Sequence, residues 1–284
     1  MTRLILNADD FGMTSGVNRS VVRLHRSGAL TSATMMARAA ATGEAVGEAR
    51  ANPRLGVGCH VVLVDGAAAL PSEQIPSLAV ASGAFRPTLG KFVRDLFLGR
   101  IRDPEIELEA VAQIRSLQAA GVRITHIDTH KHTHMFPRVL RPVLRAALQC
   151  GVRAIRNPFE PDWALKATPG APALRRAQVR LLRIFGREFE KLTSEAGVST
   201  TDGAIGVLAT GTLDARSISS LLLAMPEGTW ELVCHPGYVD ADLESVRTRL
   251  RESREVEREA LAEVVPEFLG KRRDVTAIHF GDLG

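Results

Sequence analysis

Cysteine is scarce in this 284-residue chain, and Cys59, Cys150 and Cys234 are scattered with no Cys-x-x-Cys pair among them. That excludes a disulfide framework and fits a reducing cytoplasm. Long apolar runs are missing as well. Nothing approaches the roughly 18 residues of a membrane span, and the N-terminus reaches Asp9 and Asp10 before any leader-like stretch develops. Neither a spanning segment nor a secretory leader is therefore expected. Aromatics make up only 5% of the chain, and only 5 of its 36 basic residues are Lys. With so few stacking platforms and a formal net charge of +4, nucleic acid is not an expected partner. No Gly-x-Gly-x-x-Gly follows the first apolar run, and no Gly-x-Ser-x-Gly elbow occurs anywhere. A dinucleotide site and a serine nucleophile both lose their main support.

What remains is ordinary globular material, 45% hydrophobic and 24% charged, long enough to bury a sizeable core. Compact apolar runs at 4–8, 30–37, 55–63, 122–128, 152–157, 204–209, 229–235 and 275–280 read as strands. Helical patterns lie between them, including 41–51, 103–120, 138–149, 215–225 and 240–264. The segment 64–90, rich in Pro, Gly and Ser, reads as a long functional loop. Regular alternation of this kind requires parallel strands joined by right-handed crossovers. The expected fold is α/β, a distorted (β/α) TIM-like barrel in a single domain over 1–284, with a doubly wound open sheet as the alternative.

The reactive side chains gather where strands end. Asp9 and Asp10 close the first, His60 lies late in the third, Arg156 closes the fifth, and His235 closes the run 229–235. In barrels, that end of the strands carries the active site. Four of the eight histidines fall between His126 and His134, all on even numbers. In an extended backbone alternate side chains share a face, so His126, Asp128, His130, His132 and His134 are expected together on a face able to bind a metal. Asp9 and Asp10 are expected on opposite sides of their strand, one free to ligate and the other to act as a base. One carboxylate and two imidazoles around a divalent ion leave positions open for water and a carbonyl oxygen. Taken singly, each feature has a plainer reading: a charge pair at a helix start, a hydrogen-bonded core histidine, a surface arginine.

The segments Asn7-Ala8-Asp9-Asp10-Phe11-Gly12, Gly58-Cys59-His60, His126-Ile127-Asp128-Thr129-His130-Lys131-His132-Thr133-His134 and Cys234-His235-Pro236-Gly237 together resemble the YdjC-like carbohydrate deacetylases. The resemblance covers nearly the whole chain. It implies a distorted barrel that uses a divalent metal, zinc or magnesium, to remove acetyl groups from N-acetylated amino sugars. It also implies Asp10, His60 and His130 as the metal ligands and Asp9 as the general base. His235 is the expected general acid, Arg156 is expected to orient Asp9 or hold the intermediate, and Asp128 to fix a histidine tautomer. Residues 58–66, followed by Leu70-Pro71 and Ile75-Pro76, together with 157–161, resemble the hopanoid-biosynthesis-associated branch, which implies an N-acetylglucosaminyl group on a hopanoid lipid. Soluble chitooligosaccharides are the alternative substrate, and a metal-dependent phosphoesterase and a non-catalytic sugar-binding protein are the rival classes. Residues 173–191 read as a basic amphipathic helix. It either covers the barrel or makes peripheral contact with an anionic inner-membrane surface.

Overall fold

A computed structural model describes residues 2–283. The elements run β1 (Thr2–Phe11), α1 (Ser15–Arg26), β2 (Ser32–Met35), α2 (Thr42–Ala51), β3 (Gly56–Val61), α3 (Leu89–Phe97), α4 (Asp103–Ala119) and β4 (Ile124–Thr129). They continue with a 3-10 segment (His130–Met135), α5 (Pro137–Gln149), α6 (Asp162–Ala167), α7 (Ala173–Leu182), a short 3-10 turn (Arg183–Phe185), α8 (Gly186–Glu195) and β5 (Gly203–Ile205). Last come α9 (Ala215–Ala224), β6 (Thr229–Cys234), α10 (Ala241–Ser245), α11 (Glu252–Lys271), β7 (Val275–Ile278) and a closing 3-10 turn (Phe280–Asp282).

Every strand pairing is parallel, and the sheet order is β4-β3-β2-β1-β6-β5. The sheet curls into a half-barrel, and single parallel bridges, Ile127 with Ile155 and Ala154 with Ser199, carry it across the remaining gap. The expected strand at 152–157 is thus reduced to bridges. β7 pairs with the first residues of β1, on the stretch that β2 leaves free. This seven-stranded, distorted (β/α) barrel is the architecture the alternation implied.

Strand alternation separates two environments. Leu4, Leu6 and Ala8 of β1, Val57, Cys59 and Val61 of β3, and Trp230, Leu232 and Cys234 of β6 join the large apolar core between sheet and helices. The intervening residues point into the barrel. Its floor is Ile5, Ala154 and Phe280, with His126 stacked on Phe280 at 3.9 Å between ring centroids. Above that floor the interior positions turn polar: Asn7, Asp9, His60, Asp128, Arg156 and Glu231 are all buried.

Gly58 leaves room for His126, because a Cβ there would fall 2.5 Å from the imidazole Cε1. Gly58→Ala should therefore destabilise the barrel by about 1–3 kcal/mol through overpacking, read as a lower denaturation midpoint. An unchanged midpoint would mean the floor repacks freely.

Candidate active site

The barrel mouth depends on two breaks in regular backbone. At Asp10 the chain enters the left-handed region, φ 65°, and the β1–β2 register shifts between Ala8 and Phe11. The expectation that Asp9 and Asp10 lie on opposite sides of a regular strand fails here, and both carboxylates reach the same mouth. The second break follows β4. Strand geometry ends at Thr129, and Lys131 and His132 take left-handed φ values of 57° and 51°. The shared face expected for 126–134 is therefore lost beyond His130. Lys131 is held in this turn by Asp65 at 2.6 Å.

The four histidines separate accordingly. His126 belongs to the floor, and His134 binds Thr129 Oγ1 and the carbonyl of Arg156. The Nδ1 atom of His132 is buried without a partner. Only His130 faces Asp10 and His60.

Asp10 Oδ1 lies 3.6 Å from His60 Nε2 and 3.6 Å from His130 Nδ1, and the two imidazole nitrogens are 3.2 Å apart. Donor atoms sharing one tetrahedral ion at about 2.0–2.2 Å stand roughly 3.3–3.6 Å from one another. Asp10 Oδ1 is buried and has no hydrogen-bond partner, which a bound cation would remedy. Asp10 Oδ2 accepts from Arg254 at 2.5 Å. Burial works to raise the Asp10 pKa, but Arg254, His130 and His60 hold it below the usual carboxylate range. His60 Nδ1 donates to Asp128 Oδ1 at 2.7 Å, so Nε2 is the nitrogen turned to Asp10 and His130. Against burial, Asp128, Asp9 and Asp10 push His60 up to about 9. Burial brings His130 down to about 4, leaving that ring neutral and its lone pair available at neutral pH.

A second group, Asp9, His60 and Asp128, also has its donor atoms within 4.8 Å of one another, but these donors are committed elsewhere. Asp9 is clamped by Arg156, with Oδ1 at 2.6 Å from Nη2 and Oδ2 at 2.9 Å from Nη1. Thr34 and Asn7 also donate to Asp9 Oδ1. Arg156 is fully buried and reaches Asp128 and Glu231 as well, so the surface reading of this arginine is excluded. Burial raises the Asp9 pKa, and the Arg156 guanidinium together with His60 and His235 more than reverses this. Asp9 Oδ2 stands 3.6 Å from His235 Nε2. His235 is placed by the turn at Pro236-Gly237 and by its backbone N–H, which donates to Glu257 at 2.6 Å. Cys59 and Cys234 are buried and unpaired, on the side of their strands turned away from the mouth.

Three buried groups here escaped the reading of the sequence. Glu231 carried a signal, being one acid in the otherwise apolar run 229–234. Arg254 and Glu257 carried none, because they lie among the many charges of α11.

Further round the rim, Glu160 accepts from the backbone N–H groups of Gly206 and Leu208. Burial pushes its carboxyl from an ordinary 4.5 up to about 7. As pH rises, the unfolded chain loses this proton first, so the stabilisation is complete below about 4.5 and is lost by about 7. Glu160→Gln cannot ionise. From pH 5 to pH 8 it should lose roughly 2–3 kcal/mol less stability than the wild type, and parallel stability profiles would refute that assignment.

The fold and site define a distorted α/β barrel whose carboxyl rim offers one carboxylate and two imidazoles to a cation, beside an arginine-held Asp9 and His235. The chain belongs to the YdjC-like protein family, whose model matches residues 3–268. It is 33% identical over 239 residues to a carbohydrate deacetylase of Brevibacillus brevis, covering 84% of this chain and 82% of the relative. It is 31% identical to a chitooligosaccharide deacetylase of Salmonella schwarzengrund, with the same coverage. Among solved structures it resembles a protein of Enterococcus faecalis V583 provisionally named for cellobiose-phosphate cleavage. The TM-score is 0.78 at 25% identity, over 100% of this chain and 99% of the other.

Proposed function

We propose that this protein is a metal-dependent carbohydrate deacetylase that hydrolyses the acetamide of an N-acetylated amino sugar. The observation that carries this reading is the unpartnered, buried Asp10 Oδ1 converging with His60 Nε2 and His130 Nδ1. The names of the Brevibacillus and Salmonella relatives support it.

Asp10, His60 and His130 would hold the divalent ion, zinc or magnesium, which when bound supplies Lewis acidity toward the acetyl carbonyl and acidifies water. The remaining chemistry falls to the chain. Asp9, kept ionised by Arg156, accepts the proton of the attacking water at Oδ2. As the water oxygen bonds to the acetyl carbon, the C–N bond breaks, and His235 Nε2 donates a proton to the leaving amine. Acetate and a free amino sugar result. Asp128 keeps the His60 proton on Nδ1, and Arg156 fixes the direction of Asp9.

A two-metal phosphoesterase is the weaker reading. The second cluster has its donors occupied by Arg156 and by the Asp128–His60 hydrogen bond. The finer assignment is an N-acetylglucosaminyl group carried on a hopanoid lipid, with a soluble chitooligosaccharide as the alternative. Metal-loaded protein incubated with each compound and followed by mass spectrometry tests the reading. Loss of an acetyl group is expected, whereas phosphate release from generic monoesters with no acetyl loss would overturn it.

A further inference from the structure

The segment 173–185 does not behave as a barrel-covering helix. Leu182 and Phe185 turn inward and are half-buried, but Leu174, Leu181 and Ile184 are 72%, 65% and 67% exposed. Their spacing of seven and three residues puts them on one stripe. The helix is fastened from its other side: Arg175 donates to the carbonyls of Val207 and Leu208, and Arg176 to those of Leu165 and Thr168. Two half-buried anchors of this kind hold the apolar stripe outward.

A second exposed apolar group is tied to this one through packed rings. Phe185, next to Ile184, packs on Phe136, and Phe136 packs on Phe97, with ring centroids 5.5 and 5.8 Å apart. Phe97 and Leu98, at the end of α3, are each 59% exposed. Two groups of exposed large apolar side chains, one on the 174–184 segment and one at the end of α3, are thus joined underneath by inward-turned rings. The central ring is the buried Phe136, which directly follows the His130–Met135 segment of the mouth.

Its border is basic. Beside Phe97, the guanidinium groups of Arg86, Arg94 and Arg100 converge on the single carboxylate of Asp95. Arg180 on α7 is exposed and lies 3.6 Å from Asp162, and Arg187 on α8 is exposed as well.

We propose that this face docks on an anionic lipid bilayer, with Leu181, Ile184, Phe97 and Leu98 entering the headgroup boundary and the surrounding arginines meeting lipid phosphates. A second copy of the chain fits less well, because a self-complementary interface would set arginine borders against each other. No described helix is long and apolar enough to cross a membrane, so the attachment is peripheral. The inference deepens the functional reading: a mouth held beside a bilayer receives an amino sugar whose lipid tail stays in the membrane.

The test is co-sedimentation of the full chain with phosphatidylglycerol-containing vesicles and with pure phosphatidylcholine vesicles, alongside acetate release from a soluble chitooligosaccharide. The wild type should sediment at least about fivefold more with the anionic vesicles, and added salt should weaken this. Leu181→Asp with Ile184→Asp, both on exposed positions, should bring sedimentation to the neutral-vesicle level while acetate release is unchanged. Equal sedimentation with both vesicle types would overturn the docking proposal. So would a wild-type dimer that the double variant dissociates without any vesicle binding. Vesicle binding with no acetate release from either the chitooligosaccharide or an N-acetylglucosaminyl lipid would leave docking intact and overturn the catalytic reading instead.

Discussion

Asp9→Asn should lower kcat on an N-acetylated sugar by about 10²–10⁴ while the bound metal and KM stay close to wild-type values. Asparagine keeps the shape of the side chain and can still accept from Arg156, but it cannot take the proton of the attacking water at Oδ2. Asp10, His60 and His130 are untouched, so the cation site survives. Metal content measured on the purified variant separates the outcomes. Loss of metal together with activity would make Asp9 a ligand. Full activity would point to another base.

The largest stability effect is expected at Arg156. This guanidinium is wholly buried and pairs with Asp9, Asp128 and Glu231 at once. Arg156→Met would leave those carboxylates facing one another in a low-dielectric interior. Breaking a buried ionic cluster in this way costs about 3–5 kcal/mol, a fall in Tm of roughly 5–8 °C for a chain of this size. Arg156→Lys should rescue little, because one ammonium cannot span three carboxylates in the geometry of the planar fork. A Tm within a degree or two of wild type for Arg156→Met would show that the cluster is not electrostatically coupled.

Part of this arrangement was legible in the sequence because periodicity and position encode it directly. The β–α alternation yields the parallel barrel, and strand ends at Asp9, His60, Arg156 and His235 converge because the strands are parallel. What escaped involves single backbone torsions and distant packing. Nothing in Asp9-Asp10 or in His130-Lys131-His132 announces a left-handed residue, yet these torsions decide which carboxylate and which histidine face each other. The expected helix at 240–264 is instead α10 and α11, separated by residues 246–251, and it is α11 that brings Arg254 to Asp10. Short-range periodicity has no means of registering a contact 244 residues away in the chain. The loop 64–90 holds antiparallel bridges between Ala67 and Ala84 and between Ala79 and Phe85, and it leads into α3.

The most direct test of the central claim is an anomalous-scattering map from crystals of the protein loaded with zinc, collected at the zinc absorption edge. The expected result is one strong peak bounded by Asp10 Oδ1, His60 Nε2 and His130 Nδ1, absent from crystals of His130→Ala grown and loaded in the same way. A peak elsewhere, or none between these three atoms in the wild type, would contradict the assignment of this mouth as a metal-dependent hydrolytic site.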